Sequence, residues 1–426
     1  MSPRLARRVP LLICGGVLGI VWLLQLASWW CAERMLSPQN YQGFRSAVVE
    51  LLGLAERLEL GTYDSRMRLA SRRYADRSAT NFGLLGLDEE SLTYVATNSG
   101  HSWPLPRFYY GLILEELRNQ GVGLVAFDIL FAETNRNTPD TQVRLPDGSE
   151  IGSDGYFARA IGRQKDVILS ALPKPTESGL AFPAATFGTN AAGIGNASRV
   201  RELDAVVRRV RPFVDVELSG GRRARIWHAG FVLGAQHLGL DLSQSRLSAG
   251  RITLVDFQGR PRLEVPTDAH TNFLINWLIP AESEDLYYEN FADVLKQSTN
   301  RSAGPLVNAP WRGRLAIVAS VLAGNNVSDI GDTPLHRGTP LSGVYWNVAN
   351  SLIIGQFVRK PSLPTNLGLL ALLTLVPAFL SWRLRAWWAT AAVAAFATCY
   401  TVFCVVLYLR TGWMFPIVLP VLGALF

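Results

Sequence analysis

Val122-Gly123-Leu124-Val125-Ala126-Phe127-Asp128 is a short apolar run that ends on a carboxylate. A run this short, with no polar residue inside it, predicts a strand buried on both faces. Upstream, Phe82 to Leu87 has the same character and meets Asp88-Glu89-Glu90, which predicts a second buried strand entering an acidic loop. Between the two, the prolines of Trp103-Pro104-Leu105-Pro106-Arg107 stop any strand and lead into a helix from Phe108 to Gln120, closed by Gly121. Strand, helix and strand in that order predict a βαβ unit, hence a parallel pair with a right-handed crossover.

The alternation continues downstream. It predicts a helix over Asp154 to Arg163 and a strand over Val167 to Ala171, then strands near Ala205 to Val216 and Asn272 to Ile279. Helices are expected over Ile226 to Leu238 and Phe291 to Lys296. A last buried strand, Leu315 to Ser320, opens into the loop Gly324 to Pro334 and a helix from Gly343 to Ile354. Near the start, Phe44, Val48, Leu51, Leu52, Ala55 and Leu58 recur at helical spacing. The expected fold class is α/β, with a mixed, largely parallel sheet.

Apolar segments bracket this domain. Val9 to Trp30 is 22 residues without a formal charge, preceded by Arg4, Arg7 and Arg8. That suffices for a helix to cross a hydrocarbon core about 30 Å thick. A cleaved signal peptide is the rival reading, but Trp29-Trp30-Cys31 stands where a small-x-small cleavage site would be needed. Leu363 to Trp382 and Ala386 to Leu409 are two further spans, joined by Arg383-Leu384-Arg385, a link so short that they must form an antiparallel hairpin. A fourth run, 413–426, carries Pro416 and Pro420 and is too short to span. The expected organisation is a first transmembrane helix in 1–30, an outer domain in 31–362, spans in 363–382 and 386–409, and an incomplete segment in 413–426.

Charge gives the orientation. Lys and Arg number 41 against 34 Asp and Glu, yet every acidic residue lies between Glu33 and Asp332. Setting aside Arg4, Arg7, Arg8, Arg383, Arg385 and Arg410 leaves 35 basic residues against 34 acidic ones. The basic excess therefore belongs to the membrane flanks, which removes the clustered basic face that a nucleic-acid partner would need. The positive-inside bias puts Arg383 and Arg385 in the cytoplasm and 31–362 outside, in a multi-pass membrane protein. Cys14, Cys399 and Cys404 fall in the spans and Cys31 at a membrane edge, so the outer domain holds no thiol and needs a core large enough to fold without disulfides.

Catalytic signatures are missing. His101, His228, His237, His270 and His336 show no metal-binding spacing, there is no P-loop or GxSxG elbow, and Gly193 to Ser198 matches only the first half of a glycine-rich nucleotide loop. No cofactor or metal is expected. What remains follows from topology: ligands of parallel α/β sheets sit beyond the carboxyl ends of the strands, and those ends carry Asp88, Asp128 and the Asp329/Asp332 loop. With Trp103, Arg107 and Thr333 they form a hypothetical ligand cleft. The competing reading gives each Asp a capping or turn role, Trp103 a place in the core or a lid, and Arg107 a structural bridge.

The residues also carry a resemblance. Tyr63 to Arg68, Asp88-Glu89, Trp103 to Arg107 and Phe127-Asp128-Ile129-Leu130-Phe131-Ala132-Glu133 resemble the opening signature of the CHASE2 domain, an extracytoplasmic sensor of bacterial receptors. Asp154 with Phe157-Ala158, Asp204 through Arg208-Arg209, Asp329 through Pro334, and Ser342-Gly343-Val344 agree with it, over about Leu58 to Pro361. After Gly343-Val344 the chain departs from the family pattern, with Tyr345-Trp346-Asn347. The resemblance implies a sensor of a small-molecule or periplasmic protein cue, with no catalysis of its own, relaying to a cyclase or kinase output module or partner protein. A homodimer is expected, since spans signal by packing. The alternative is a periplasmic docking protein that signals nothing by itself.

Overall fold

The computed structural model describes residues 47–74, 81–134, 141–145, 147–174, 179–202, 204–218, 221–301, 309–322 and 329–425, together with 16, 19 and 23. Most of the first expected span and part of the Gly324 to Pro334 loop lie outside the described residues. Two units divide the chain: 71–266 with 271–357, and 1–70 with 267–270 and 358–426. The helix α1 (Ala47–Arg73) contributes residues to both.

In the first unit the strands β1 (Phe82–Leu87), β2 (Leu124–Asp128), β3 (Val167–Pro173), β4 (Gly193–Asn196), β5 (Tyr287–Asn290) and β6 (Leu315–Ser320) form one sheet in the order β5-β1-β6-β2-β3-β4. Every pairing among these six is parallel, and Leu180–Ala181 adds a short antiparallel edge to β3. β1 and β6 are buried along their whole length, as apolar runs in the middle of a parallel sheet must be. This corrects the expected adjacency of β1 and β2: they are parallel, but β6, the last strand in sequence, pairs with both and lies between them. An all-apolar strand loses most by standing at an edge, so β6 takes the centre.

The longer helices of this unit are α2 (Glu89–Ser99), α3 (Phe108–Gln120), α4 (Ser153–Gln164), α5 (Ala229–Leu238), α6 (Phe291–Thr299) and α7 (Gly343–Ile353). α3, α4 and α6 close over a core in which Tyr110, Phe127, Phe131, Phe157 and Phe187 meet largely edge to face. α5 and α7 pack against each other. A Cβ at Gly230 would stand 2.9 Å from the Tyr345 carbonyl, so this close crossing requires a glycine there.

Other expectations shift. The acidic stretch after β1 is no loop: Asp88 caps α2 by accepting from the Ser91 amide at 2.8 Å, and Glu89 and Glu90 suit the positive end of that helix. Ala205 to Val216 is two strands, Val207–Val210 and Phe213–Leu218. The expected helix start at Ile226 belongs instead to a strand, Arg222–Trp227, which pairs with Phe213–Leu218, and His228 then caps α5. Leu240 to Pro266, where sequence reading placed no element, forms a three-stranded meander. Gly193-Ile194-Gly195-Asn196 is β4 itself and no phosphate loop; a Cβ on Gly195 would stand 2.7 Å from that of Ala229.

Asn272 to Ile279 keeps only Phe273–Leu274 as strand. Asn347 on α7 explains why. Its Oδ1 accepts from the Leu278 and Ile279 amides, both at 2.9 Å, and its Nδ2 donates to the carbonyls of Ile279 at 2.9 Å and Gly343 at 3.0 Å. A buried side-chain amide thus takes the place of a neighbouring strand.

The second unit contains α8 (Leu363–Arg383), α9 (Ala386–Thr411) and α10 (Val418–Leu425). α8 and α9 are long and apolar enough to cross a membrane, with mean hydropathy 1.8 and 2.1 in their best windows. Leu372, Leu375, Phe379, Trp387, Val402 and Phe403 stand exposed on them, as lipid-facing side chains would. The two ends away from the Arg383–Arg385 link are tied together: the Arg359 amide donates to the Gly412 carbonyl at 2.9 Å, and Met414 donates back to Arg359 at 2.8 Å.

Candidate functional site

Because the six strands are parallel, their carboxyl ends share one edge of the sheet, where backbone groups run out of partners and ligands usually bind. Asp128, the last residue of β2, is buried there. Its Oδ2 lies 3.2 Å from Nη2 of Arg199, whose Nη1 reaches Asp329. Its Oδ1 contacts the hydroxyl of Tyr345 on α7 at 2.8 Å. That hydroxyl touches Ser170 Oγ on β3 at 2.7 Å, and Ser170 Oγ reaches the Phe127 carbonyl at 2.6 Å. His228, fully buried, stands with its ring centroid 5.8 Å from that of Tyr345.

Local sequence places each member. An Asx turn at the end of β4, in which Asn196 Oδ1 accepts from the Ser198 amide, leads directly into the strand Arg199–Arg201. That strand is held by Val207–Val210, where Arg208, 1 % exposed, is clamped by Asp204 at 2.7 Å and Glu202 at 3.0 Å. Arg208 thereby overcomes the burial that opposes ionisation of Asp204 and holds its carboxyl below the ordinary value. Arg199 is 13 % exposed and Asp329 40 %, so the cluster opens to solvent on the Asp329 side.

Burial dominates the electrostatics. It drives the Asp128 carboxyl above its ordinary range, against the opposing pull of Arg199, and the Asp329 charge adds to the rise. Burial, assisted by Arg199, pushes His228 down to about 3. His228 is therefore neutral, and because Nδ1 accepts from the Gly230 amide at 3.1 Å its proton sits on Nε2. Among the described residues, His228 Nε2 and Arg199 Nε are buried donors with no partner.

Of the residues singled out from sequence, Asp128 and Asp329 meet through Arg199. Asp88 has other partners: besides capping α2 it accepts from Asn290 Nδ2 at 2.7 Å, joining β1 to β5. Arg107 lies over the Phe131 ring at 5.0 Å, and Trp103 packs against the aromatic core. Thr333 closes a turn with His336, bonding its carbonyl at 2.9 Å through N and 3.0 Å through Oγ1. It also borders a shallow pocket with Trp277, Leu335, His336 and Trp346. Sequence reasoning missed Arg199 as the partner of Asp128 and Ser170 and His228 as neighbours of Tyr345, and met Tyr345 only as a departure from a pattern. Reading Gly193 to Asn196 as a strand would have brought Arg199 to the same edge by the rule that found Asp128. Among the described residues, no three His, Cys, Asp or Glu side chains are grouped to hold a metal.

The arrangement defines a buried, charge-dense lock between strand ends and a helix. The family model of the CHASE2 domain matches residues 44–382. The chain belongs to the CHASE2 family, extracellular sensor domains of signalling proteins. No curated protein and no solved structure matches it.

Proposed function

We propose that this protein is a bacterial inner-membrane receptor whose extracytoplasmic domain detects a small-molecule or protein cue and relays it through its membrane helices to a cyclase or kinase, fused or recruited. The cue acts at the carboxyl edge of the sheet, around Asp128, Arg199 and Asp329. The signalling form is a homodimer, whose helices exchange one packing for another.

One observation carries the relay. On α1, Glu59 accepts from the backbone amides of Ile417, at 3.1 and 2.9 Å, and Val418, at 2.8 Å, and so caps α10 from another helix. Arg66, two turns farther along α1 and 2 % exposed, binds Glu59 at 3.2 Å, Thr62 Oγ1 at 2.9 Å and the Phe415 carbonyl at 2.9 Å. Tyr408 on α9 reaches Met67 at 2.8 Å. An ion pair whose arginine is buried, as here, holds one geometry, because breaking it leaves the Arg66 charge uncompensated. Farther along the same helix, Ser71 Oγ donates to the Leu278 carbonyl at 2.8 Å, beside the Asn347 lock. A rotation or shift of α1 thus has specific groups to move at either end.

The test appends a reporter cyclase domain after Phe426 and measures its output in cells under varied periplasmic conditions. The expected result is an output that varies with conditions in the wild type and is locked at one level by Glu59→Gln or Arg66→Ala. An output identical in every condition and variant, with a periplasmic protein co-purifying stoichiometrically, would replace the receptor by a docking protein.

A further inference from the structure

Three short oxygen contacts run in series from Asp128: Oδ1 to Tyr345 Oη at 2.8 Å, Tyr345 Oη to Ser170 Oγ at 2.7 Å, and Ser170 Oγ to the Phe127 carbonyl at 2.6 Å. Each needs one hydrogen. A carbonyl oxygen and a carboxylate only accept, so with Asp128 ionised the two hydroxyls supply hydrogens for two contacts and the third sets lone pair against lone pair. With Asp128 protonated the count closes. The acid O–H donates to Tyr345, Tyr345 donates to Ser170, and Ser170 donates to the Phe127 carbonyl.

Charge gives the same answer. Arg199 faces both Asp128 and Asp329, and Tyr345, Ser170 and the neutral His228 bring no charge. Among the described residues, these are the charged and titratable groups facing Asp128 from the strands, from Asp329, and from α5 and α7. One arginine against two carboxylates, one of them buried, leaves an excess negative charge, and one proton removes it. Asp329 is 40 % exposed to water whereas the Asp128 side chain is 4 % exposed, so burial selects Asp128 as the carboxyl that takes the proton.

We propose that Asp128 is a proton-binding site whose resting form is the neutral acid, and that its ionisation unlocks α7 from the carboxyl edge of β2 and β3. On ionisation the Oδ1 proton passes to water or a buffer base at the Asp329 side. Tyr345 then turns its hydrogen to the new carboxylate, and the Tyr345–Ser170 contact, left without one, separates. That this event is a signal rests on the receptor reading; that the proton is there does not.

The experiment uses the full chain in nanodiscs, labelled with carboxyl-13C aspartate. Infrared spectra at neutral pH are expected to show a protonated aspartate C=O band that Asp128→Asn removes and Tyr345→Phe shifts. The Asn variant keeps a donor toward Tyr345 and an acceptor toward Arg199 at every pH. A site whose folded pKa is raised stabilises fully below the unfolded value, about pH 4 for aspartate, and loses that contribution as pH rises to the folded value. The ratio of folding constants, wild type over Asp128→Asn, should therefore fall about tenfold per pH unit over that window and then level, the opposite slope of His228 cancelling because both proteins carry it. Absence of the band at neutral pH, or a ratio that is flat or rises with pH, overturns the proposal. If Asp128→Asn does not fold, the wild-type band and its shift in Tyr345→Phe decide the matter. A proton that titrates while the reporter output stays constant across the same pH range would remove the signalling role and leave the site.

Discussion

Replacing Asn347 by alanine removes a single side chain and with it four hydrogen bonds. Their loss is unequal. The Ile279 carbonyl keeps the Trp346 indole donor at 3.0 Å, and Gly343 keeps its place in the first turn of α7. The Leu278 and Ile279 amides, in contrast, lose their acceptor inside the protein, and an unsatisfied buried donor costs about 1–3 kcal/mol. Two of them make the expected loss roughly 2–6 kcal/mol, a large share of the stability of an ordinary domain. Hydrogen exchange by mass spectrometry on peptides covering 272–280 measures it directly, since every 1.4 kcal/mol of lost protection is a tenfold faster opening equilibrium. Protection of that segment should fall by about thirtyfold or more in Asn347→Ala. Asn347→Asp is the control: it keeps acceptors for both amides but buries a carboxylate without a counter-charge, and it too should destabilise. Unchanged exchange in Asn347→Ala would mean that water or a backbone shift satisfies these amides, and that the side chain does not act as a strand.

Gly195→Val forces a branched side chain against Ala229, whose amide nitrogen would lie 2.9 Å from the new Cβ, and should cost about 1–3 kcal/mol or more by overpacking, read as a lower thermal midpoint of the purified chain. The stability that His228 confers as a neutral ring is complete above its ordinary value near pH 6.5 and is lost as pH falls toward about 3, so His228→Asn should flatten the acid limb of a stability–pH profile. A steep acid limb that persists unchanged in that variant would assign the effect elsewhere. Reporter fusions after Gly152 and Leu384 should give outer and inner signals respectively, and an outer signal at Leu384 would overturn the orientation.

The sequence was most legible where local chemistry and burial agree. β1 and β6 are read residue for residue because an unbroken apolar run bounded by polar residues has one good solution. α3 is equally clear, opened after two prolines and closed by Gly121. Where long-range partners replace local ones, reading failed. Nothing near Asn272 to Ile279 reveals that Asn347 will satisfy its backbone, and nothing in β1 or β2 reveals that β6 will come between them. The site divides the same way. Asp128 follows from the strand that carries it, whereas Tyr345 lies on a helix 217 residues away and reaches it only through the packing of α7 against α5. Asp88 shows the limit of the strand-end rule, since the same position serves a cap as well as a ligand.

The claim that a change in the α/β domain reaches the membrane helices can be measured at the Ile417 and Val418 amides, which Glu59 holds. Hydrogen exchange of these two amides, compared between the wild-type full chain in nanodiscs and Tyr345→Phe, reads the far end of the relay without knowledge of the cue. The account predicts that exchange changes at Ile417 and Val418 together with the segments around Asp128. Altered exchange around Asp128 with identical exchange at Ile417 and Val418 would contradict it.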